Sequence, residues 1–276
     1  MYLYLIPRGG FNDQLNRIEA SVEYCKKTKR TLLIDTTKSC YGINFCEYFY
    51  LTDLSIPIIT DVNIIRSIIA NESLSIYPNI FKDRNIATWN FKFTEKGYVE
   101  INSNTNMRLP ETTCDADIVV HVNCGNSVYV NIFKHLFFKQ NLIDHVKREF
   151  SKLPKKYLCI QIRNTDRSCD YKQLYETNKE LIHSYDAIYI ATDDKQSINF
   201  FKTKELNIFN FTEFQINRKD NLHYSSIPGD TKIKNLITDI YIIAMADKLL
   251  SNSVGGFIEL VRNIRKDVPM LLDKFK

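Results

Sequence analysis

The stretch Cys159-Ile160-Gln161-Ile162-Arg163-Asn164-Thr165-Asp166-Arg167 passes from apolar to charged at a single point. With Leu158, residues Ile160 and Ile162 alternate along one face, the period of a half-buried or buried strand. Arg163, Asp166 and Arg167 follow where that strand stops. In open α/β sheets, ligands bind in the crevice outside the carboxyl ends of the strands. An arginine delivered there offers a planar fork of donors that suits a phosphate. A surface turn with a solvated ion pair has the same local pattern, so the rest of the chain has to separate the two.

Working outward from this stretch, the alternation of strand and helix continues toward the C-terminus. The patterns predict a strand over 157–163, a helix near 171–183, a strand over 187–191, a helix over 195–203 and a strand over 207–211. A polar loop follows over 213–230. Then come a helix over 233–247, a strand over 248–251, a helix over 256–265 and a strand over 268–272.

Toward the N-terminus, the segment 151–156 is polar, carries Pro154 and reads as a linker. Residues 2–6 read as a buried strand. The turn 8–13 leads into a helix running to Thr28, capped by Asn12 or Asp13, with Leu15, Ile18, Val22 and Cys25 on its inner face. A second strand over 31–35 completes a βαβ opening, which predicts a parallel sheet. Between 40 and 110 the pattern weakens. A short helix is expected over 44–50, a strand over 56–60, a helix from an Asp61 cap to Ala70, and irregular chain or short antiparallel strands over 71–110. A buried strand over 118–122 and a helix over 126–150, with a break near Asn141, follow. Each half, 1–150 and 151–276, therefore reads as its own α/β domain with a parallel sheet, and a crevice is expected between them.

With 276 residues, 44% hydrophobic and 25% charged, the chain has the balance of a water-soluble globular protein. Residues 1–6 lack the basic leader and long apolar core of a signal peptide. A net charge of +5 is compatible with anionic ligands or a lipid surface and does not call for nucleic acid. Seven cysteines without a CxxC spacing argue against a disulfide framework or a zinc site and suggest a reducing, cytoplasmic setting.

Several motifs carry potential chemistry. The turn from Arg8 to Gln14 has the glycines of a dinucleotide fingerprint, with Asp35 as the ribose acid about 20 residues on. However, Asp13 stands where the third glycine belongs, and its carboxylate would oppose a pyrophosphate. Residues 188–194 form another strand ending in polar groups, and Asp193 or Asp194 is expected to cap the next helix. Asp239 interrupts an apolar helix, so it lies at an exposed edge or is held by a partner. The run Asn252-Ser253-Val254-Gly255-Gly256-Phe257 presents backbone N–H groups at the start of the last long helix, an anion cradle. Asp115 and Asp117 have the spacing of a sugar-transferase metal motif but read better as turn or helix caps. The histidines have no metal spacing, and no GxSxG elbow is present.

Taken together, these stretches resemble the superfamily of GDP-fucose-dependent fucosyltransferases, which includes the α1,6-fucosyltransferases, the nodulation fucosyltransferases and the protein O-fucosyltransferases. Gly9-Gly10-Phe11-Asn12-Asp13-Gln14-Leu15 is similar to the family's opening turn, and 161–167 to its H-x-R-x-T-D-[KR] motif. Residues 188–194 and the pattern Thr238-Asp239…Asp247…Ser253…Phe257 are similar to its two later motifs.

The resemblance implies an α/β, GT-B-like fold of two Rossmann-like domains whose parallel sheets face a central crevice, and an inverting transferase that needs no metal or other cofactor and moves fucose from GDP-fucose to a glycan. Arg163 would hold the donor β-phosphate, Asp239 the guanine, and Ser253, Gly256 and Phe257 the phosphates. Gln161, Thr165 and Asp166 belong to the same donor motif, while Gly10 and Asn12 would face the donor from the other domain. Asp170 is the first candidate for the catalytic base and Asp13 the second. The sequence departs from the family at Gln161, which replaces a histidine, at Asn164, which replaces an arginine, and at Gly255 and Gly256, which replace serines. Those departures leave open a different nucleotide sugar, or a noncatalytic nucleotide- or glycan-binding protein. The implied partners are a nucleotide sugar and a glycan or lipid-linked glycan in surface polysaccharide assembly. The implied place of work is the cytoplasm, with peripheral attachment at the inner membrane face.

Overall fold

The computed structural model describes residues 1–111, 114–125, 131–165, 167–214 and 225–276. They fall into two compact units, Met1–Lys139 and Gln140–Lys276. Each is built on its own parallel sheet.

The first unit begins with β1 (Tyr2–Arg8), whose Leu3, Tyr4, Leu5 and Ile6 are wholly buried. Such an unbroken apolar run is what a parallel strand covered on both faces requires. Helix α1 (Phe11–Thr28) buries Leu15, Ile18, Val22 and Cys25, as its spacing predicts. Its N-cap is Gly10 rather than Asn12 or Asp13. Asp13 instead reaches back from the first turn and accepts the Gly10 N–H at 3.1 Å, satisfying one of the donors that a helix start leaves without partners. β2 (Thr31–Ile34) lies parallel to β1.

The weakly patterned region contains β3 (Phe49–Leu51), β4 (Ile58–Ile59), α2 (Val62–Ala70), β5 (Ile76–Tyr77) and the antiparallel hairpin β6 (Phe91–Thr94) and β7 (Gly97–Glu100). Asp61 caps α2 as expected, accepting the Asn63 and Ile64 N–H groups. β8 (Ile118–Cys124) inserts between β1 and β5, giving the order β4-β2-β1-β8-β5, all parallel. The core beneath combines Tyr4, Ile6, Ile65, Ile69, Phe81, Trp89 and, from β8, Val120 and Val122.

The segment 126–150 is interrupted close to the expected break at Asn141, and its helical part begins at Gln140. Residues 126–130 lie outside the described chain; a 3-10 turn (Ile132–His135) and β9 (Leu136–Phe138) precede the helix proper. β9 pairs antiparallel with β3, where Phe138 meets Phe49 edge-on at 6.0 Å. That aromatic packing, rather than helical periodicity, sets the local structure.

Helix α3 (Gln140–Phe150) belongs to the second unit, so the division falls after Lys139 and not after residue 150. The cause is its apolar face, Leu142, Ile143 and Val146. It packs on α7 (Gly229–Met245), where Phe150 stands edge-on to Tyr241 at 5.1 Å. The central strands are β10 (Leu158–Ile162) and β11 (Ile188–Thr192), flanked by β12 (Ile208–Phe209) and β13 (Lys248–Leu250) in the order β12-β11-β10-β13. All pairs are parallel, and Ile160 faces Ile190 on one side and Leu250 on the other. Ile160 and Ile190 are fully buried, and each such aliphatic side chain contributes about 1.5–3 kcal/mol.

Helices α4 (Tyr171–Thr177), α5 (Lys179–His183), α6 (Lys195–Lys202) and α8 (Gly256–Arg265) complete the layers. Arg265 of α8 donates to the carbonyls of Ile243, Ala244 and Ala246 and so closes the C-terminal end of α7. The strand expected over 268–272 is a short helix, α9 (Val268–Asp273). Asp267 accepts the Met270 N–H at 3.2 Å, and Pro269 fits the first turn, where its missing N–H costs nothing. All seven cysteines are free. Among the described residues no helix is long and apolar enough to cross a membrane.

Candidate functional site

Counted along the chain, the strands of the second unit are ordered 3-2-1-4, the first part of the doubly wound nucleotide-binding arrangement. The order reverses between β10 and β13, the topological switch point where such sheets receive ligands. Arg163 follows β10 there, and residues 251–255 follow β13. The two ends are joined by hydrogen bonds. The Arg163 N–H donates to Ser253 Oγ at 2.9 Å, and Ser251 Oγ donates to Gln161 Oε1 at 2.7 Å. Gln161 is buried, so its side chain braces the loop after β13 from beneath.

Gly255 caps α8 with φ +126 and ψ 174, backbone that L side chains rarely adopt. A Cβ there would also stand 3.0 Å from Arg163 Nη1. Glycine is therefore favoured by its own dihedral, and an added side chain would also press on the guanidinium that lies against it. The first turn of α8 has N–H groups without intrahelical partners and the positive end of the helix dipole. Arg163 and this helix end thus present positive charge to one place.

The end of β11 adds a polar brace. Asp193 accepts the Asn164 N–H at 2.8 Å and the Thr165 hydroxyl. Asp194 accepts Asn164 Nδ2 at 2.8 Å and caps α6 through the Gln196 N–H. On the other flank, Cys169 Sγ donates to Asn252 Oδ1 at 2.6 Å, and Asn252 Nδ2 donates to the Asp170 carbonyl at 3.1 Å. Three strand ends are therefore stitched into one rim, and Asn164, which departs from the resembled motif, is a central knot in it.

Of the residues singled out in the sequence, Gln161, Arg163, Thr165, Ser253 and Gly256 come together at this rim. Phe257, in the first turn of α8, is partly exposed. Asp166 lies outside the described residues. Asp170 is exposed, and its carboxylate caps α4 by accepting the Gln173 N–H at 2.9 Å. Asp239 forms a separate cluster on α7. It accepts Tyr189 Oη at 2.6 Å and Thr212 Oγ1 at 3.3 Å, partners that the sequence alone did not reveal. Burial pushes its carboxyl up to about 7, against the pull of those two hydrogen bonds. Burial, with Asp239 beside it, likewise carries the Tyr189 phenol well above its usual range.

Gly10, Asn12 and Asp13 sit in the first unit, at the turn after β1. Gly9 has φ +83, and a Cβ there would fall 2.7 Å from Asp13 Oδ2. Asp13 fills the space that a dinucleotide pyrophosphate would need. Asp35 is no ribose acid either: it is buried and accepts Tyr4 Oη at 2.6 Å and the Thr37 N–H at 2.9 Å. Asp117 binds Ser75 through its N–H and hydroxyl, at 2.9 and 2.8 Å, and the Ser75 N–H holds its carboxyl below the usual range. Among the described residues, no group of three or more His, Cys, Asp or Glu is placed to hold a metal ion.

No family model matches the chain, and no curated protein matches it in sequence. Solved structures do match over nearly its whole length. NodZ α-1,6-fucosyltransferase co-crystallized with GDP is 16% identical, with a TM-score of 0.61 over 95% of this chain and 92% of that one. Fucosyltransferase NodZ from Bradyrhizobium gives the same identity and TM-score, with 93% of that chain covered. POFUT1 in complex with GDP is 11% identical, with a TM-score of 0.54 over 95% of both chains. The fold is GT-B-like. It consists of two Rossmann-like α/β units, and at these identities the likeness concerns the fold; the chemistry has to be argued from the residues.

Proposed function

We propose that this chain is an inverting glycosyltransferase that moves a sugar, fucose as first choice, from a GDP-linked donor to a glycan acceptor. The observation that carries this reading is the contact between Arg163 and Gly255 at the start of α8. A diphosphate bound there gains from a guanidinium and from helix N–H groups at once. The same groups stabilise the negative charge that grows on the leaving GDP as the glycosidic bond breaks, and in many enzymes electrostatic stabilisation of this kind lowers the barrier more than any other single effect. No metal is needed in this scheme, because Arg163 and α8 supply the positive charge.

Asp239 would read the base. An ionised carboxylate accepts two N–H donors from guanine, and Tyr189 holds it in place. Attack by the acceptor hydroxyl needs a base. Asp170, beside the rim, is the first candidate and Asp13 the second. Both carboxylates already accept a backbone N–H, and acceptance of one N–H leaves lone pairs for a proton. The acceptor would be a glycan or lipid-linked glycan handled at the cytoplasmic side of a membrane.

Calorimetric titration with GDP-, UDP-, CMP- and TDP-sugars tests the reading. GDP-sugars should bind best, with GDP-fucose turned over and inverted, and Arg163→Ala should weaken binding and cut transfer by about 10²–10³-fold. Preference for another nucleotide would reassign the donor. Binding without transfer or slow donor hydrolysis would leave a nucleotide-binding protein. Unchanged binding in Arg163→Ala would end the phosphate assignment.

A further inference from the structure

The first unit holds a cavity of about 510 Å³ that the donor reading leaves unused. Arg17 of α1, Phe93 and Glu95 of the hairpin, Arg108, and His121 and Asn123 of β8 line it. His121 is 1% exposed, and its Nδ1 lies 2.8 Å from the Met107 carbonyl. A carbonyl only accepts, so Nδ1 carries the proton. Burial lowers the ring's pKa to about 4, so it is neutral at physiological pH. Nε2 is then a lone-pair acceptor, and it is buried with no hydrogen-bond partner among the described residues. A buried polar atom left so is costly unless something comes to donate to it.

The two arginines are only loosely held, Arg17 feeling the charge of Asp13 without an ion-pair contact to it. Neither Arg17 nor Arg108 forms an ion pair among the described residues. Arg17 Nε is buried without a partner, and its only side-chain bond among the described residues is a long one, Nη2 to Asn16 Oδ1 at 3.4 Å. Arg108 lies across Gly97, whose φ is +98 and where a Cβ would stand 3.2 Å from Arg108 Nε. The positive φ favours glycine there, and a side chain would also press on that guanidinium. The cavity also adjoins the turn after β1: Gly125, another lining residue, packs so closely that a Cβ would fall 2.9 Å from Asp13 Cα.

We propose that this cavity is the subsite for an anionic saccharide, its carboxylate or phosphate held by Arg17 and Arg108 and a ring hydroxyl donating to His121 Nε2. Two guanidiniums match either anion through their planar donors, and a sugar hydroxyl supplies the donor that Nε2 lacks. This names the acceptor class for the transferase reading and rests on that reading for its role in turnover. Saccharide binding itself does not depend on it.

The wild-type protein is titrated with methyl β-glucuronide, glucose 1-phosphate and the neutral methyl β-glucoside. At least one anionic probe should bind about tenfold or more tightly than the neutral one. The stronger of the two identifies the anion as carboxylate or phosphate. Arg108 is exposed, so Arg108→Ala folds, and it should weaken the anionic probe about tenfold. In the wild type, the ¹⁵N resonance of His121 Nε2 should move on adding that probe, a readout that needs no variant. Equal binding of all three saccharides, no binding of either anionic one, or an unaltered affinity in Arg108→Ala overturns the proposal. GDP titrated into the same wild-type sample judges the donor reading separately, so failure of one is not failure of the other.

Discussion

Both units carry a switch point, between β1 and β8 in the first and between β10 and β13 in the second, and they are armed with opposite charge. In the first, the helix start after the strand is filled by its own carboxylate, Asp13, which accepts the Gly10 N–H. In the second, an arginine lies against the glycine that opens the helix. The backbone arrangement is shared, while one side chain decides which end stays receptive to an anion. A plugged helix start is self-satisfied; a cationic one gains when a phosphate arrives. A Rossmann-like topology alone therefore does not locate a nucleotide, and the residue facing the helix N-terminus does.

The contrast is most directly tested at Arg163. Arg163→Ala should reduce turnover of a GDP-sugar by about 10²–10³-fold, the usual penalty for removing one group that stabilises the departing charge. Its stability should change by less than about 0.5 kcal/mol, as for other substitutions outside the core, which a urea melt would show. A variant with normal turnover would remove the distinction between the two switch points.

The paired glycines come next. Gly255→Ala should destabilise the protein by about 1–3 kcal/mol, because it forces a side chain into a strained dihedral and against Arg163. Gly10→Ala should lose under about 1 kcal/mol, since Gly10 has φ −67 and its added Cβ would meet only Asp13 Oδ2 at 3.7 Å. Equal losses would mean that the close approach at Gly255 is not built in. Asp13→Ala should lose about 0.5–2 kcal/mol through the start of α1, measurable as a shift in midpoint, whereas loss of transfer beyond that would mark Asp13 as the base.

The smallest effect concerns pH. Asp239 titrates at about 7 in the folded protein against an ordinary value of 3.8. The folded state therefore holds this proton more tightly than the unfolded chain, and the stability it contributes is present at low pH and lost as pH rises through 7. Asp239→Asn should accordingly gain in melting temperature relative to the wild type at pH 8 and little at pH 5. If the carboxylate reads the base, wild-type affinity for GDP should fall between pH 8 and pH 6, and the variant's should stay flat.

Much of the second unit was legible because its two central strands are wholly buried and end abruptly in polar residues. β10 and β11, the Asp61 and Asp194 caps and the helix after Gly255 could all be read locally. The misreadings have a common cause. β9 and α9 are short, and neighbours outweigh local pattern there: β9 is held by β3 and its aromatic contacts, and α9 by the Asp267 cap. α3 was assigned to the wrong unit because its apolar face says that it packs, not on what. The bonds from Tyr189 and Thr212 to Asp239 link residues 50 and 27 positions apart, and no local signal announces them. Arg17, Arg108 and His121 are scattered along the chain in the same way.

By itself, the sequence determined the class of fold, the strand that ends in Arg163, the glycine-rich start of α8 and the acid set into α7. Each is written in short-range periodicity or in the placement of a few residue types, which act over a span of some ten residues. Only the tertiary structure decided that β13 lies beside β10, that Gly255 takes a left-handed dihedral under the guanidinium, and that two arginines and a histidine share one cavity. Those facts depend on strand order and on side chains meeting across the chain, where packing chooses among many arrangements that local pattern leaves equal.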